Sequence, residues 1–371
     1  MYINVKKTSL TIILSIIAIG AFCFFYQHQK NSTNKNLGLY TKTFALYSAQ
    51  GTASIPQLQE VVNISQKNGT FDDIASAKIL LAIALFDRNQ GNDRQQAATT
   101  LKEIASDANL LTATRSSAYS YMANWFFTYG SQDLMKRYVF DTSPYKEYLA
   151  EQRGDVSEAT VFLLTLANNL QANTFNNYES AGILAYKLRG MDLNASNKDQ
   201  QEVASRAYRY LVAGDDLFQD SQKSEFYIKN PSAFLFLLST KSISLATLQP
   251  FFPDSITNTK VTDSFETALG SIKGAQDSLS AKYLAPNIRL EYAIWLSQAK
   301  NIADLDNKIR DVVEPINAAQ SQIFNNYIQR IRNRTTKSYT RKGVIRVAFV
   351  SPSFKTYLKS QGWQESDFTS K

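Results

Sequence analysis

The chain has 371 residues, with 40 Lys and Arg against 32 Asp and Glu and a formal net charge of +8. It has one cysteine, Cys23, and one histidine, His28. An intramolecular disulfide is therefore excluded, and so are a His- or Cys-built metal centre and Ser-His-Asp or Cys-His catalysis, all of which need several converging residues.

The head, residues 1–7, ends in Lys6-Lys7. The twenty residues from Thr8 to Gln27 then carry no charge and are mostly Ile, Leu, Phe and Ala. About 20 apolar residues in a helix span the hydrocarbon layer of a bilayer. Residues 8–27 are thus expected to be an uncleaved, single-pass transmembrane anchor. A cleaved signal peptide with Ala18 and Gly20 before the cut, or lipidation at Cys23, is the alternative. Phe22, Phe24, Phe25 and Tyr26 argue against it, because polar chain normally follows such a cut and aromatics suit the membrane interface. A short charged head normally stays in the cytoplasm, so the body is expected outside it. His28 reads as an interfacial residue. A polar linker, 28–38, follows.

Charge is uneven along the chain. Residues 1–50 hold five Lys and no acid, and residues 328–371 hold ten Lys or Arg against Glu365 and Asp367. The two ends thus carry +13, which leaves residues 51–327 with a net −5. A mildly acidic body between basic ends is a clue to partners.

From 39 to 304 the pattern is helical. Leu39–Leu46 and Leu58–Ile64 have helical spacing. Ile74–Asp87 places Ala77, Leu81, Ala84 and Leu85 on one face, Gly91-Asn92-Asp93 makes a turn, and Arg94–Ala105 repeats the spacing with Ala97, Leu101 and Ile104. Ala113–Tyr129 carries Ala118, Tyr121 and Trp125. Asp155 and Glu158 read as a capping-box variant that opens a helix to about Ala172. Phe175–Arg189 follows, with Gly190 as its C-cap. Gln201–Phe218 and Ser232–Leu248 form another pair. The apolar run Ala233–Leu238 raises a second membrane span, but Lys241 and Pro250 favour a buried helix. Asp263 and Glu266 are expected to cap an amphipathic helix, and Pro286 to open the next.

The helix, turn, helix unit with small residues at the contact resembles the tetratricopeptide-repeat-like superfamily of helical hairpins over roughly Asp72 to Lys300. Ala82, Ala97, Leu101, Ala118 and Tyr121 fall within its 34-residue frame. A non-repeating helical domain is the other reading. The resemblance implies an α-solenoid with a surface for protein or peptide partners. The layout also resembles membrane-anchored helical-repeat proteins of the cell envelope.

Residues 305–333 approach a three-four alternation. They are expected to form one long helix, kinked at Pro315, that caps the solenoid or pairs as a coiled coil. The basic segment 334–371 follows. Arg330, Arg332, Arg334, Lys337, Arg341, Lys342 and Arg346 are candidates for binding an anionic surface, either lipid headgroups or wall polymer. Nucleic acid is not the expected partner outside the cytoplasm. Val344–Val350 reads as a single strand, and Phe354–Gln361 as a short helix.

Several enzyme-like matches carry little. Ser143-Pro144-Tyr145-Lys146 lacks the companion motifs of penicillin-binding enzymes. Arg153-Gly154-Asp155 is better explained by Asp155 as a cap. Asp72-Asp73 and Asp215-Asp216 are adjacent pairs that do not share a helix face, and Gly270 and Gly274 have the spacing of close helix packing. No phosphate loop is visible. No catalytic, cofactor-binding or metal-binding residue is expected. The fold class is all-α: an N-terminal transmembrane helix, a helical-repeat body, a long C-terminal helix and a minor strand. The expected function is a membrane-anchored scaffold that binds a protein partner. The alternative is a cell-envelope polymer-binding protein or a carboxylate-dependent envelope enzyme.

Overall fold

The computed structural model describes residues 47, 51–129, 155–222, 228, 231–275, 279–299, 302–317, 322–334 and 336–369. The expected anchor 8–27, the expected linker, Leu39–Leu46, the Ser143–Lys146 match and Arg153-Gly154 lie outside them. Among the described residues the protein is all-α, with fourteen α-helices, two 3-10 turns and no strand. The chain divides into two compact units, one of residues 1–180 and 212–233, the other of 181–211 and 234–371.

In the first unit, α1 (Ile55–Asn68), α2 (Phe71–Arg88), α3 (Asp93–Ser106), α4 (Thr112–Tyr129) and α5 (Val156–Leu170) each pack on the next. The start of α2 lies three residues before the expected Ile74. Its Thr70 hydroxyl accepts from Asp73 N–H at 3.2 Å while Asp73 accepts from Thr70 N–H at 2.9 Å, a reciprocal cap that satisfies two otherwise unpaired donors. The chain reverses between α2 and α3 through Asn89 and Gly91, with φ of 50° and 52°. These left-handed values suit Asn and Gly. Arg88 then grips Asp93 with two hydrogen bonds of 2.7 and 2.8 Å.

Small buried residues bring these helices together. Ala77, Ala84, Ala97, Ala98 and Ala118 are buried, as are Leu101 and Trp125. Trp125 stacks on Phe86 with ring centroids 3.8 Å apart. Asp72 is not half of a carboxylate pair. It accepts from Leu111 N–H at 2.9 Å and Thr114 Oγ1 at 2.5 Å, and so caps the start of α4 from the start of α2. Asp155 caps α5 as expected, accepting from Ser157 and Glu158 N–H. Ser116 Oγ on α4 donates to the Ala167 carbonyl on α5. The start of α6 (Thr174–Arg189) joins this unit through Ser120 Oγ, which donates to Asn176 Oδ1 at 2.8 Å. Later in the chain, α7 (Lys198–Gln222) supplies Asp215, which accepts from Tyr178 OH at 2.6 Å. Burial, then the Asp215 charge, pushes the Tyr178 phenol well up. A Cβ on Gly214 would lie 2.5 Å from the Tyr178 ring, so only glycine lets α7 approach this closely.

The second unit is built from the rest of α6 and α7 with α8 (Pro231–Leu248), α9 (Asn258–Ala275), α10 (Leu279–Leu296), α11 (Leu305–Asn317), α12 (Gln322–Arg332), α13 (Ser338–Val350) and α14 (Pro352–Ser360). Among the described residues α8 alone is long and apolar enough to cross a membrane by length and composition, and 61% of it is buried inside the fold. That burial fits the expected core helix. Tyr292 stacks on Phe265 at 4.8 Å, and Trp295 donates to Gln249 at 2.7 Å. Arg189 donates to Glu291 and Thr247, each at 2.8 Å, at a buried centre joining α6, α8 and α10, and its guanidinium lies 4.8 Å from the centre of the Tyr339 ring on α13.

The structure departs from the sequence expectation at five places. Val344–Val350 belongs to α13 and not to a strand. Val344, Ile345, Val347 and Ala348 are buried on one side of that helix, and such packing overrides the modest helix penalty of β-branched residues. Asp263 and Glu266 lie inside α9, which opens at Asn258, where Thr257 Oγ1 accepts from Lys260 N–H. Pro286 lies inside α10, where it removes one N–H from the helix ladder. Among the described residues nothing lies within 4 Å of where a Cβ on Gly270 would be, so no close packing is seen there. Residues 305–333 are described as two helices, α11 with Pro315 inside it and α12, with 318–321 outside the described residues.

Candidate functional site

The first unit carries a groove of about 490 Å³ with α2 as its floor and α1 and α3 as its walls. The floor presents Phe71, Ile74, Lys78, Leu81 and Leu85, at intervals of three and four residues along one face of α2. Fourteen residues separate Phe71 from Leu85, so the floor is about 21 Å long at 1.5 Å per residue. One wall, α1, adds Gln59, Val62 and Gln66, and the other, α3, adds Gln96, Thr100 and Glu103, with Asp107 just past its end.

The turn after α2 reverses the chain, so α3 runs back along the floor. Gln96 therefore lies toward the Leu85 end, and Glu103 and Asp107 lie toward Phe71. At that end Phe71 is 80% exposed and Leu111 55%. Leu111 is held beside the start of α2 by its N–H bond to Asp72. The result is an apolar lip next to two carboxylates, with a single cation, Lys78, midway.

The groove sets an apolar floor between polar walls. Leu81 and Leu85 are nearly buried and give a dry floor. Gln59, Gln66 and Gln96 are exposed, and each amide offers both donor and acceptor. Such walls match the alternating N–H and C=O groups of an extended peptide. An extended segment of about six residues at roughly 3.3 Å each would match the floor in length. Among the described residues no group of three or more His, Cys, Asp or Glu could hold a metal ion.

The seven basic candidates lie in the second unit, and four of them reach partners within it. Arg332 Nε donates to Asp367 Oδ2 at 3.0 Å, and Arg341 donates to the Asp367 carbonyl at 2.9 Å. Burial works against it, but Gln364 N–H, Arg332 and Arg341 hold the Asp367 carboxyl below its usual range. Arg341 also lies over Trp363, and Lys337 over the Tyr186 ring at 4.7 Å. Lys342 Nζ reaches Asp192 at 3.2 Å. Arg330, Arg334 and Arg346 are exposed. Arg334 sits at φ 57° in the turn after α12. Arg332 and Arg341 therefore clasp the chain's own last turn, Glu365–Phe368, where Lys355 and Lys359 also pair with Glu365.

The groove residues were missed from the sequence because they look like ordinary helix positions. The one available signal was Phe71, an apolar residue just before the Asp72-Asp73 pair and off the Ala77, Leu81, Ala84 stripe. No protein-family model matches the chain, and a search of curated proteins finds no match.

Proposed function

We propose that this protein is a membrane-anchored helical scaffold whose α1–α3 groove holds an extended segment of a partner protein. In this reading residues 8–27 form the anchor, residues 31–371 lie outside the cytoplasm, and the body is a set of tetratricopeptide-like hairpins. The observation that carries it is the groove itself: an apolar floor about 21 Å long, walled by side-chain amides and opening beside exposed Phe71 and Leu111. The helices α1 to α5, each packed on the next, support the hairpin reading. The uncharged run and its basic head support the anchor.

The test is selection from a display library of decapeptides against the full chain in nanodiscs. Selected peptides should share one or two apolar anchors, and Phe71→Asp and Ile74→Asp should each weaken them about tenfold or more, roughly the loss of one buried anchor. Both positions are exposed or half-buried, so the fold should survive and the circular dichroism melt should stay unchanged. Peptides that bind both variants as well as the wild type would refute the groove.

A further inference from the structure

As a helix, α13 exposes a face that a strand would not. Ser338, Lys342, Arg346 and Phe349 follow one another at intervals of four, four and three, and all are exposed. They form one stripe opposite the buried Val344 and Val347. Phe349 is 68% exposed. An aromatic ring held outward one turn from Arg346 and two turns from Lys342 is the chemistry of an interfacial contact, with apolar ring and cations presented together.

We infer that this stripe rests on an anionic lipid surface, with the Phe349 ring entering the headgroup layer and Lys342 and Arg346 meeting phosphates. Charge complementarity favours that occupant. Residues 328–371 carry a net +8, while their only two acids, Glu365 and Asp367, are already taken by Lys355, Lys359, Arg332 and Arg341. Two other acids lie along the helix. Asp192 accepts from Ser338 Oγ at 2.9 Å and from Lys342, but the Lys342 pair is 57% and 72% exposed, and a solvated pair of that kind opens at little cost. Glu314 accepts from Ser353 just beyond the helix end. The inference rests in part on the anchor of the proposed function, which would keep this unit near a bilayer.

The experiment uses the full chain with Cys23→Ala and a spin label at Ser353→Cys, four residues from Phe349, in vesicles of phosphatidylglycerol or phosphatidylcholine. Resistance of the chain to carbonate extraction reports the anchor separately from the label. The ratio of oxygen to nickel-chelate accessibility reports depth. It should be at least about twofold higher in phosphatidylglycerol at 0.1 M salt, and the difference should vanish near 1 M, where the screening length falls to about 3 Å. Phe349→Ser and the double change Lys342→Gln, Arg346→Gln should each abolish the difference. An equal ratio in both lipids, or a raised ratio that survives both changes, would overturn the inference even where the anchor holds.

Discussion

Arg189 Nη1 donates to Glu291 Oε2 at 2.8 Å, and the two side chains keep only 6% and 5% of their surface accessible. The pair joins α6 to α10, and Thr247 on α8 takes the guanidinium Nε–H. Removing one partner leaves an uncompensated buried charge. Arg189→Met is expected to cost about 3–5 kcal/mol, while Arg189→Met with Glu291→Leu should recover most of it. Urea unfolding in detergent would read both. A double variant no more stable than the single would show that the pair is not the source of the loss.

Glu179 gives a pH-dependent prediction. It is 6% exposed, and burial pushes its carboxyl up to about 7. The folded state therefore holds this proton more tightly than the unfolded chain does, whose glutamates titrate near 4.5. Between those two values the folded state binds more protons, so stability falls as pH rises. The loss is complete above about pH 7 and is on the order of 3 kcal/mol. Glu179→Gln should match the wild type below about pH 4.5 and melt higher than it at neutral pH, the gap opening through the window set by the raised value. A gap that does not vary with pH would contradict this.

Asp93 behaves in the opposite sense. The Arg88 hydrogen bonds hold its carboxyl below the usual range despite its burial, and Gln90 N–H adds to them. Its contribution is present above the unfolded value of 3.8 and is lost as pH falls through the lower folded value. Arg88 is 35% exposed, so solvent weakens the pair. Asp93→Asn is expected to cost about 1 kcal/mol at neutral pH, and less in acid, in thermal melts.

Gly343 tests α13 directly. A Cβ there would lie 2.4 Å from Ile294 Cγ2, because α13 packs closely on α10 at this point. Gly343→Ala is expected to destabilise by about 1–3 kcal/mol through overpacking, partly relieved by Ile294→Ala. A stabilising effect, which an exposed helical glycine would show, would place α13 elsewhere.

Helix positions were legible in the sequence where apolar spacing and caps agreed. Asp155 with Glu158, and the three-four spacing of Ala77, Leu81 and Ala84, placed α5 and α2 to within a few residues. The expectation failed where tertiary packing overrode local preference. The β-branched run from Val344 looks like a strand in isolation, yet it is buried against α10 and α11 as a helix. Pro286 reads as a helix start but is accommodated inside α10, where it is itself buried. Of the groove, only part of the floor was legible, through Leu81, Leu85 and Phe71. The rest depends on Gln59, Lys78 and Glu103 converging from three helices, and each alone is an ordinary exposed position. The basic run was legible as composition, but its pairing with Asp367 and Glu365 depends on how the last turn folds back.

Occupation of the α1–α3 groove by a partner's extended segment can be tested where it would occur. The most direct measurement is photo-crosslinking in cells from a benzoylphenylalanine at Gln66 or Gln96, exposed on opposite walls. Both positions should crosslink one partner within a single stretch of about six residues. Phe71→Asp should abolish the product, and the same probe at exposed Glu202, outside the groove, should not form it. Products identical from Glu202, or undiminished by Phe71→Asp, would contradict it.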